Sequence, residues 1–210
     1  FDLVHQEPPA SAGLARKTRG DGTVVHVHRT VRARDIWERI VRSAYEGAEL
    51  GCVFIDRANE GNNLRYVESI VATSPSGAQC LPPNGCSVHG NLMLSRFVSN
   101  PYTASASFDW AALQEVIDPA VEYLDQVLDK TIWPSPEHQV EAQTKRRIGL
   151  GYLELADALA MMGIRYDSPM AARFATQLGA FVRDTAYRAS IRLAVRMGPF
   201  ALFNADKFLE

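Results

Sequence analysis

The sequence predicts a helix-rich α/β protein, with a few strands in its first half and long helices in its second. Three observations carry that expectation. Apolar residues alternate over "TVVHVHRTV" and bunch in "GCVFIDR", the patterns of half-buried and buried strands respectively. From Phe108 onward they recur every three or four residues, as on a helix with one buried face. Pro and Gly fall between these segments, where chain reversals are needed.

Residues 1–22 are rich in Pro, Gly and charge and lack an apolar period, so they are expected as an arm preceding one domain over 23–210. A short strand is expected at 23–29. A first helix follows at about 32–46, where Ile36, Ile40 and Ala44 recur every four residues beside Trp37 and Val41, with Gly47 as the stop. "GCVFIDR", 51–57, fits a buried strand, and "YVESIVAT", 66–73, a second extended segment. Ile117, Val121, Leu124 and Leu128 mark one helical stripe, interrupted by Asp118-Pro119. Pro there either kinks one helix or starts a second capped by Asp118. A helix at about 137–146 leads to "RRIGLGYLELADALAMMGI", in which Gly149 and Gly151 are expected to flank a tight bend and Gly163 to cap a further helix. Ser168-Pro169 and Gly198-Pro199 delimit the longest helix, with Phe174, Leu178 and Phe181 on one face.

The chain has 210 residues, 47% hydrophobic and 22% charged, with a formal net charge of −2. That balance gives no electrostatic case for nucleic acid or an anionic membrane as partner. Cys52, Cys80 and Cys86 are too few for a disulfide framework and read as reduced thiols, which makes the cytoplasm the expected compartment. No apolar run approaches the ~20 residues of a bilayer span. Phe1 in place of Met suggests a chain cut from something longer.

Several stretches, taken in order, resemble the large catalytic subunit of ribonucleotide reductase, nearest its adenosylcobalamin-dependent class. They are "FDLVH", "RTVRARDIWERIVRSAYEGAELGCVFIDRAN", "NNLRYVESIVAT", "LPPNG", "RRIGLGYLELADALAMMGIRYDS" and "YRASIRLAVRMGPFALF". The resemblance implies a slice of a ten-stranded α/β barrel whose centre is threaded by a finger loop. It implies adenosylcobalamin as cofactor, nucleotides as ligands, and either self-association or a reductase subunit as partner.

The segment Ser74–Ser87 falls where the family carries that finger loop, Asn-Pro-Cys-Gly-Glu-Gln-Pro-Leu-Pro-Pro-Tyr-Gly-x-Cys. Pro75, Gly77, Gln79, Leu81, Pro82, Pro83 and Gly85 keep the frame. The family's thiyl-radical cysteine falls at Ser76, its assisting asparagine at Ser74, its acid/base glutamate at Ala78 and the downstream cysteine of its reducing pair at Ser87. All four reactive groups are replaced. An alkoxyl radical on Ser76 is far costlier to form than a thiyl radical, and Ala78 carries no proton to exchange. Ser87 cannot enter a disulfide. The expectation is a catalytically inactive, reductase-like domain acting through binding or assembly. The alternatives are an excised or altered piece of a working adenosylcobalamin-dependent reductase and a repurposed helical domain with a new small-molecule site.

Other features have plainer readings. Cys80 and Cys86 lie four residues or more beyond the radical position, so they are expected as incidental thiols. Cys80, Cys86 and His89 could be assembled into a metal site, since Cys86-x-x-His89 has a metal-ligand spacing, and His26 and His28 share a strand face. No fourth ligand is evident for the first and the second would chelate weakly, so no metal is expected. Lys145-Arg146-Arg147 reads as a salt-bridged run in preference to a phosphate site, and "GLG" at 149–151 lacks the context of a dinucleotide fingerprint.

Overall fold

The structure is a computed structural model that describes residues 2–6, 15–20, 22–49 and 51–208. It divides into two compact units, 1–53 and 54–210, a boundary inside the stretch expected as one domain.

In the first unit, β1 (Asp2–His5), β2 (Arg16–Thr18) and β3 (Val24–Thr30) form an antiparallel sheet in the order β1-β3-β2. Two strands thus come from the segment expected as an arm. The alternation of β3 buries Val25 and Val27 and leaves His26 and His28 on the other face. β3 is the central strand; Val27 pairs with Val4, and Arg16 with His26. Helix α1 (Ala33–Gly47) follows and ends at Ala48, whose φ of 54° makes it the left-handed cap in place of Gly47.

The run at 51–57, expected as a buried strand, spans the boundary between the two units and is not a strand. Residues 51–54 are irregular, α2 spans Ile55–Glu60, and Val53 and Phe54 are exposed. The apolar run is not a strand because no neighbouring strand pairs with it among the described residues, and an unpaired buried strand leaves its backbone groups unsatisfied. Of the expected extended segment 66–73, only β4 (Ala72–Thr73) is a strand, pairing with β5 (Cys80–Leu81).

β6 (Val88–Met93) leads through a 3-10 turn, Leu94–Phe97, into β7 (Val98–Ser99), which pairs with β8 (Ser107–Phe108). α3 (Trp110–Lys130) is one helix with Pro119 inside it. Its N-cap is Asp109, whose carboxylate accepts from the Ala112 amide, and not Asp118. Leu113, Ile117, Val121, Leu124 and Leu128 are buried along it. α4 (Pro136–Lys145), capped by Ser135, leads into β9 (Ile148–Leu153). Strands are therefore not confined to the first half, and Gly149 and Gly151 lie within a strand instead of flanking a bend. β9 runs parallel to β6, with Val88 opposite Ile148 and Met93 opposite Leu153.

α5 (Leu155–Met161) ends in a Schellman motif at Gly163, φ 69°: Gly163 N–H donates to Ala160 and Ile164 N–H to Leu159. α6 (Pro169–Met197) is capped by Ser168 and stops at Gly198, and α7 spans Ala205–Phe208. The core joins Leu92, Leu94 and Phe97 to Leu113, Ile117 and Val121 of α3 and to Leu178, Val182 and Ala189 of α6. Trp110 stacks edge-on against Phe108 and Phe181, at centroid distances of 4.8 and 5.1 Å. Among the described residues the two-stranded β6–β9 sheet is one of four small sheets, and these form no closed barrel. No helix among the described residues is long and apolar enough to cross a membrane.

Candidate functional site

The Ser74–Ser87 segment is built from two tight turns and a strand entry. β4 and β5 pair Ala72 with Leu81 and Thr73 with Cys80, which closes a hairpin whose loop is 74–79. Ser74 holds that loop from one end. Its N–H donates to Gln79 O at 2.8 Å, its carbonyl accepts from Gly77 N–H at 2.8 Å, and its Oγ accepts from Gln79 N–H at 3.2 Å. Pro75 supplies the fixed φ of the turn's second position, and Gly77, at φ 74°, the left-handed exit. Ser76 and Ala78 are exposed on this loop.

The second turn is Pro82-Pro83-Asn84-Gly85, closed by Gly85 N–H donating to Pro82 O at 2.9 Å. Asn84 sits at φ 56°, so proline and a left-handed asparagine occupy the two central positions of a type II turn. Gly85 is there for space: a Cβ would stand 2.7 Å from Pro82 O and 2.9 Å from Leu81 Cβ.

Beyond this turn, Cys86 donates its thiol to the His138 carbonyl at 3.5 Å. Burial, with a smaller contribution from Glu141, pushes the Cys86 thiol pKa up, which makes it a poor nucleophile at neutral pH. Ser87 Oγ and His89 Nε2 are 2.7 Å apart. His89 and Asn91 lie on one face of β6 and lean across β9, where Gly149 and Gly151 leave room; a Cβ on Gly149 would be 2.9 Å from the His89 ring. The cost of side chains at those glycines, not a bend, accounts for them.

A caged set of charges adjoins Cys86. Lys145 Nζ lies 2.7 Å from Glu68 and 2.8 Å from Glu141, and Arg147 reaches Glu68 at 2.8 Å and Glu141 at 3.4 Å. The neighbouring Arg146, at φ 49°, turns away to Asp125 and Asp129 of α3 at 2.7 and 2.8 Å, and those carboxylates hold its guanidinium well above its ordinary pKa. All three basic residues of the run are thus in ion pairs.

The site therefore brings together Ser74, Ser76 and Ala78 on one hairpin and Cys86 and Ser87 at the entry to β6. Cys80 is held on β5. Among the described residues no group of three or more His, Cys, Asp or Glu could hold a metal ion. Residue patterns gave no warning of the Ser87–His89 contact or of Glu68 in the cage. The spacing of Glu141 and Lys145, four apart on a helix, was the available signal for one of its pairs. A shallow recess of about 360 Å³ lies between the Pro83-Asn84 turn and α4, lined by Pro136, Glu137, Val140 and Glu141.

The ribonucleotide reductase barrel domain matches residues 16–210. The vitamin B12-dependent ribonucleoside-diphosphate reductase of Mycobacterium tuberculosis is 37% identical over 177 residues, 84% of this chain and 25% of the relative. Its namesake in Thermoplasma acidophilum is 31% identical over 183 residues, 87% of this chain and 23% of the relative. The chain thus spans about a quarter of the length of these relatives. Among solved structures, the class Id ribonucleotide reductase alpha subunit of Actinobacillus ureae aligns with a TM-score of 0.64 at 19% identity, covering 80% of this chain and 33% of the other, a likeness of fold.

Proposed function

The chain belongs to the ribonucleotide reductase barrel-domain family, and from that membership we propose that it is a non-catalytic member acting through binding or assembly. One observation supports this above the others: the hairpin keeps its turns while its exposed tip carries a hydroxyl at Ser76 and a methyl at Ala78. Hydrogen abstraction from a ribose needs a thiyl radical, and the proton transfers that follow need a group such as a carboxylate. Neither is supplied at this tip. Cys80 is tied to a strand and Cys86 is half-buried, and a shift of this size misplaces a reacting atom. Members of a cooperating set are not additive, so losing several together leaves little.

The names of the relatives imply adenosylcobalamin. A corrinoid is larger than the recess beside α4, and no residue of this chain is assigned to it. Three unpaired thiols fit a reducing compartment such as the cytoplasm. Incubation with ribonucleoside diphosphate, adenosylcobalamin and a dithiol is expected to yield no deoxyribonucleotide above background; turnover would refute the proposal.

A second reading is that the chain works as one piece of a longer adenosylcobalamin-dependent reductase. The parallel pair β6–β9 favours it, since parallel sheets are rarely stable with so few strands and gain from added neighbours. Co-expression with the complementary part of a related reductase, and with Asn, Cys, Glu and Cys restored at 74, 76, 78 and 87, should then give turnover. Failure of that combination removes the second reading.

A further inference from the structure

The two faces of β6 have different surroundings. One packs on α3: Leu92 lies in the core, and a Cβ on Gly90 would stand 3.1 Å from Leu124. His89, Asn91 and Met93 alternate with these residues and are exposed. Ser87, just before the strand, opens onto the same exposed face, its Oγ 2.7 Å from His89 Nε2. The His89 ring owes its place to Gly149, its cross-strand neighbour on β9. A Cβ there would stand 2.9 Å from the ring's Cδ2 and 3.2 Å from Nε2.

We infer that Ser87 is a modification site, an activated hydroxyl that takes an acyl group from a small thioester or active ester, with His89 as its base. The inference is independent of the reductase readings above. A serine hydroxyl is a weak nucleophile until an adjacent base can accept its proton, and that base must lie within about 2.6–3.2 Å. The contact here meets the requirement before any donor binds. Ser87 Oγ attacks the donor carbonyl and passes its proton to His89 Nε2. The carbonyl carbon gains a bond to Oγ and loses its bond to the thiolate or alkoxide, which leaves with the proton from Nε2. No oxidant or reductant enters the step. Cys86, next in the chain, competes poorly, because its thiol is half-buried and donates to the His138 carbonyl. Among the described residues no hydrogen bond holds His89 Nδ1. The pair therefore lacks the third, orienting group of a hydrolytic triad, and the acyl group is expected to stay on Ser87 instead of turning over.

Incubation of the chain with p-nitrophenyl acetate tests the site. Peptide mass mapping over time locates the acetyl group, and circular dichroism confirms that each variant is folded. Ser87 is expected to be acetylated about 100-fold faster than the exposed Ser76. His89→Gln keeps a side chain of similar reach without the base and should slow the Ser87 adduct by about 100-fold. Gly149→Ala alters neither reacting residue but pushes the ring aside, and it should slow the adduct as well. Cys86→Ala should leave the rate unchanged; an adduct lost with that thiol would mean relay from sulfur and overturn the assignment. Acetylation of Ser87 no faster than that of Ser76, or indifferent to His89→Gln, would overturn it too. Reductase turnover, assayed separately, bears on the proposed function alone.

Discussion

Arg147 grips the Glu68 carboxylate, its Nη2 2.8 and 2.9 Å from the two oxygens. The carboxylate is almost wholly buried, its side chain 2% exposed, and Lys145, 7% exposed, closes it from another side. This contact ties the segment before the hairpin to the start of β9, and Arg147 O also accepts from Val88 N–H at the start of β6. Removing one partner strands a buried charge. Glu68→Ala is therefore expected to cost about 3–5 kcal/mol, read as a lowered urea midpoint. Exposed pairs such as Arg165–Asp167 should matter by less than about 1 kcal/mol.

The same cage sets an acid limit. Burial raises the Glu68 pKa, but hydrogen bonds from Lys145 and Arg147 outweigh it and hold the group below its ordinary 4.5. A carboxylate with a lower pKa folded than unfolded adds stability that is fully present above the unfolded value and lost as pH falls through the folded one. Stability should thus decline below pH 4.5. In Glu68→Gln, less stable at neutral pH, that acid limb should be shallower. Urea titrations at several pH values measure both slopes.

The hairpin offers a finer test. Ser74→Ala removes the Oγ that accepts from Gln79 N–H and should cost about 1 kcal/mol. Ser74→Asn retains an acceptor and should cost less. Gly85→Ala forces a Cβ against backbone, Pro82 O at 2.7 Å, and should cost about 1–3 kcal/mol. Gly149→Ala meets first the exposed His89 ring, which can swing aside. Its cost should be smaller, and the His89 ring should move out of reach of Ser87 Oγ. Thermal melts rank the four variants.

Thiol chemistry separates the cysteines. Cys52 is exposed, whereas Cys86 is half-buried and its thiol is pushed up by burial and by Glu141. Alkylation at mildly alkaline pH should modify Cys52 first, with Cys86 lagging until the chain is unfolded. Peptide mass mapping over time checks the order. A Cys86 that reacts first would mean a thiolate stabilised in a way this site does not provide.

Legibility in the sequence followed the range of the forces involved. The α3 stripe and the caps at Ser168 and Gly163 were readable because each is set by residues within one or two turns. The turn frame of the hairpin was readable for the same reason. β9 was not. Gly149 and Gly151 look like breakers until His89 and Asn91, far back in the chain, are laid beside them. "GCVFIDR" erred in the opposite direction: a strand-like run forms no strand without a neighbour to pair with. In the site, Ser76 and Ala78 could be located by resemblance, but Glu68 in its cage and the Ser87–His89 contact are products of tertiary packing that no local pattern encodes.

That division bears on what restoring the loop would do. Ser74→Asn, Ser76→Cys, Ala78→Glu and Ser87→Cys together return the reactive groups, and the local turns can carry them. The tip nonetheless stays exposed on this chain, beside a sheet of only two strands. Radical chemistry needs water excluded and the reacting atoms fixed to within a fraction of an ångström. The fourfold variant alone is therefore expected to gain a fast-reacting thiol at position 76 and no reductase turnover. Iodoacetamide labelling and a deoxyribonucleotide assay read the two outcomes separately. Turnover by the isolated variant would show that this slice supplies the enclosure itself, and the loop residues alone would then account for the proposed loss of activity.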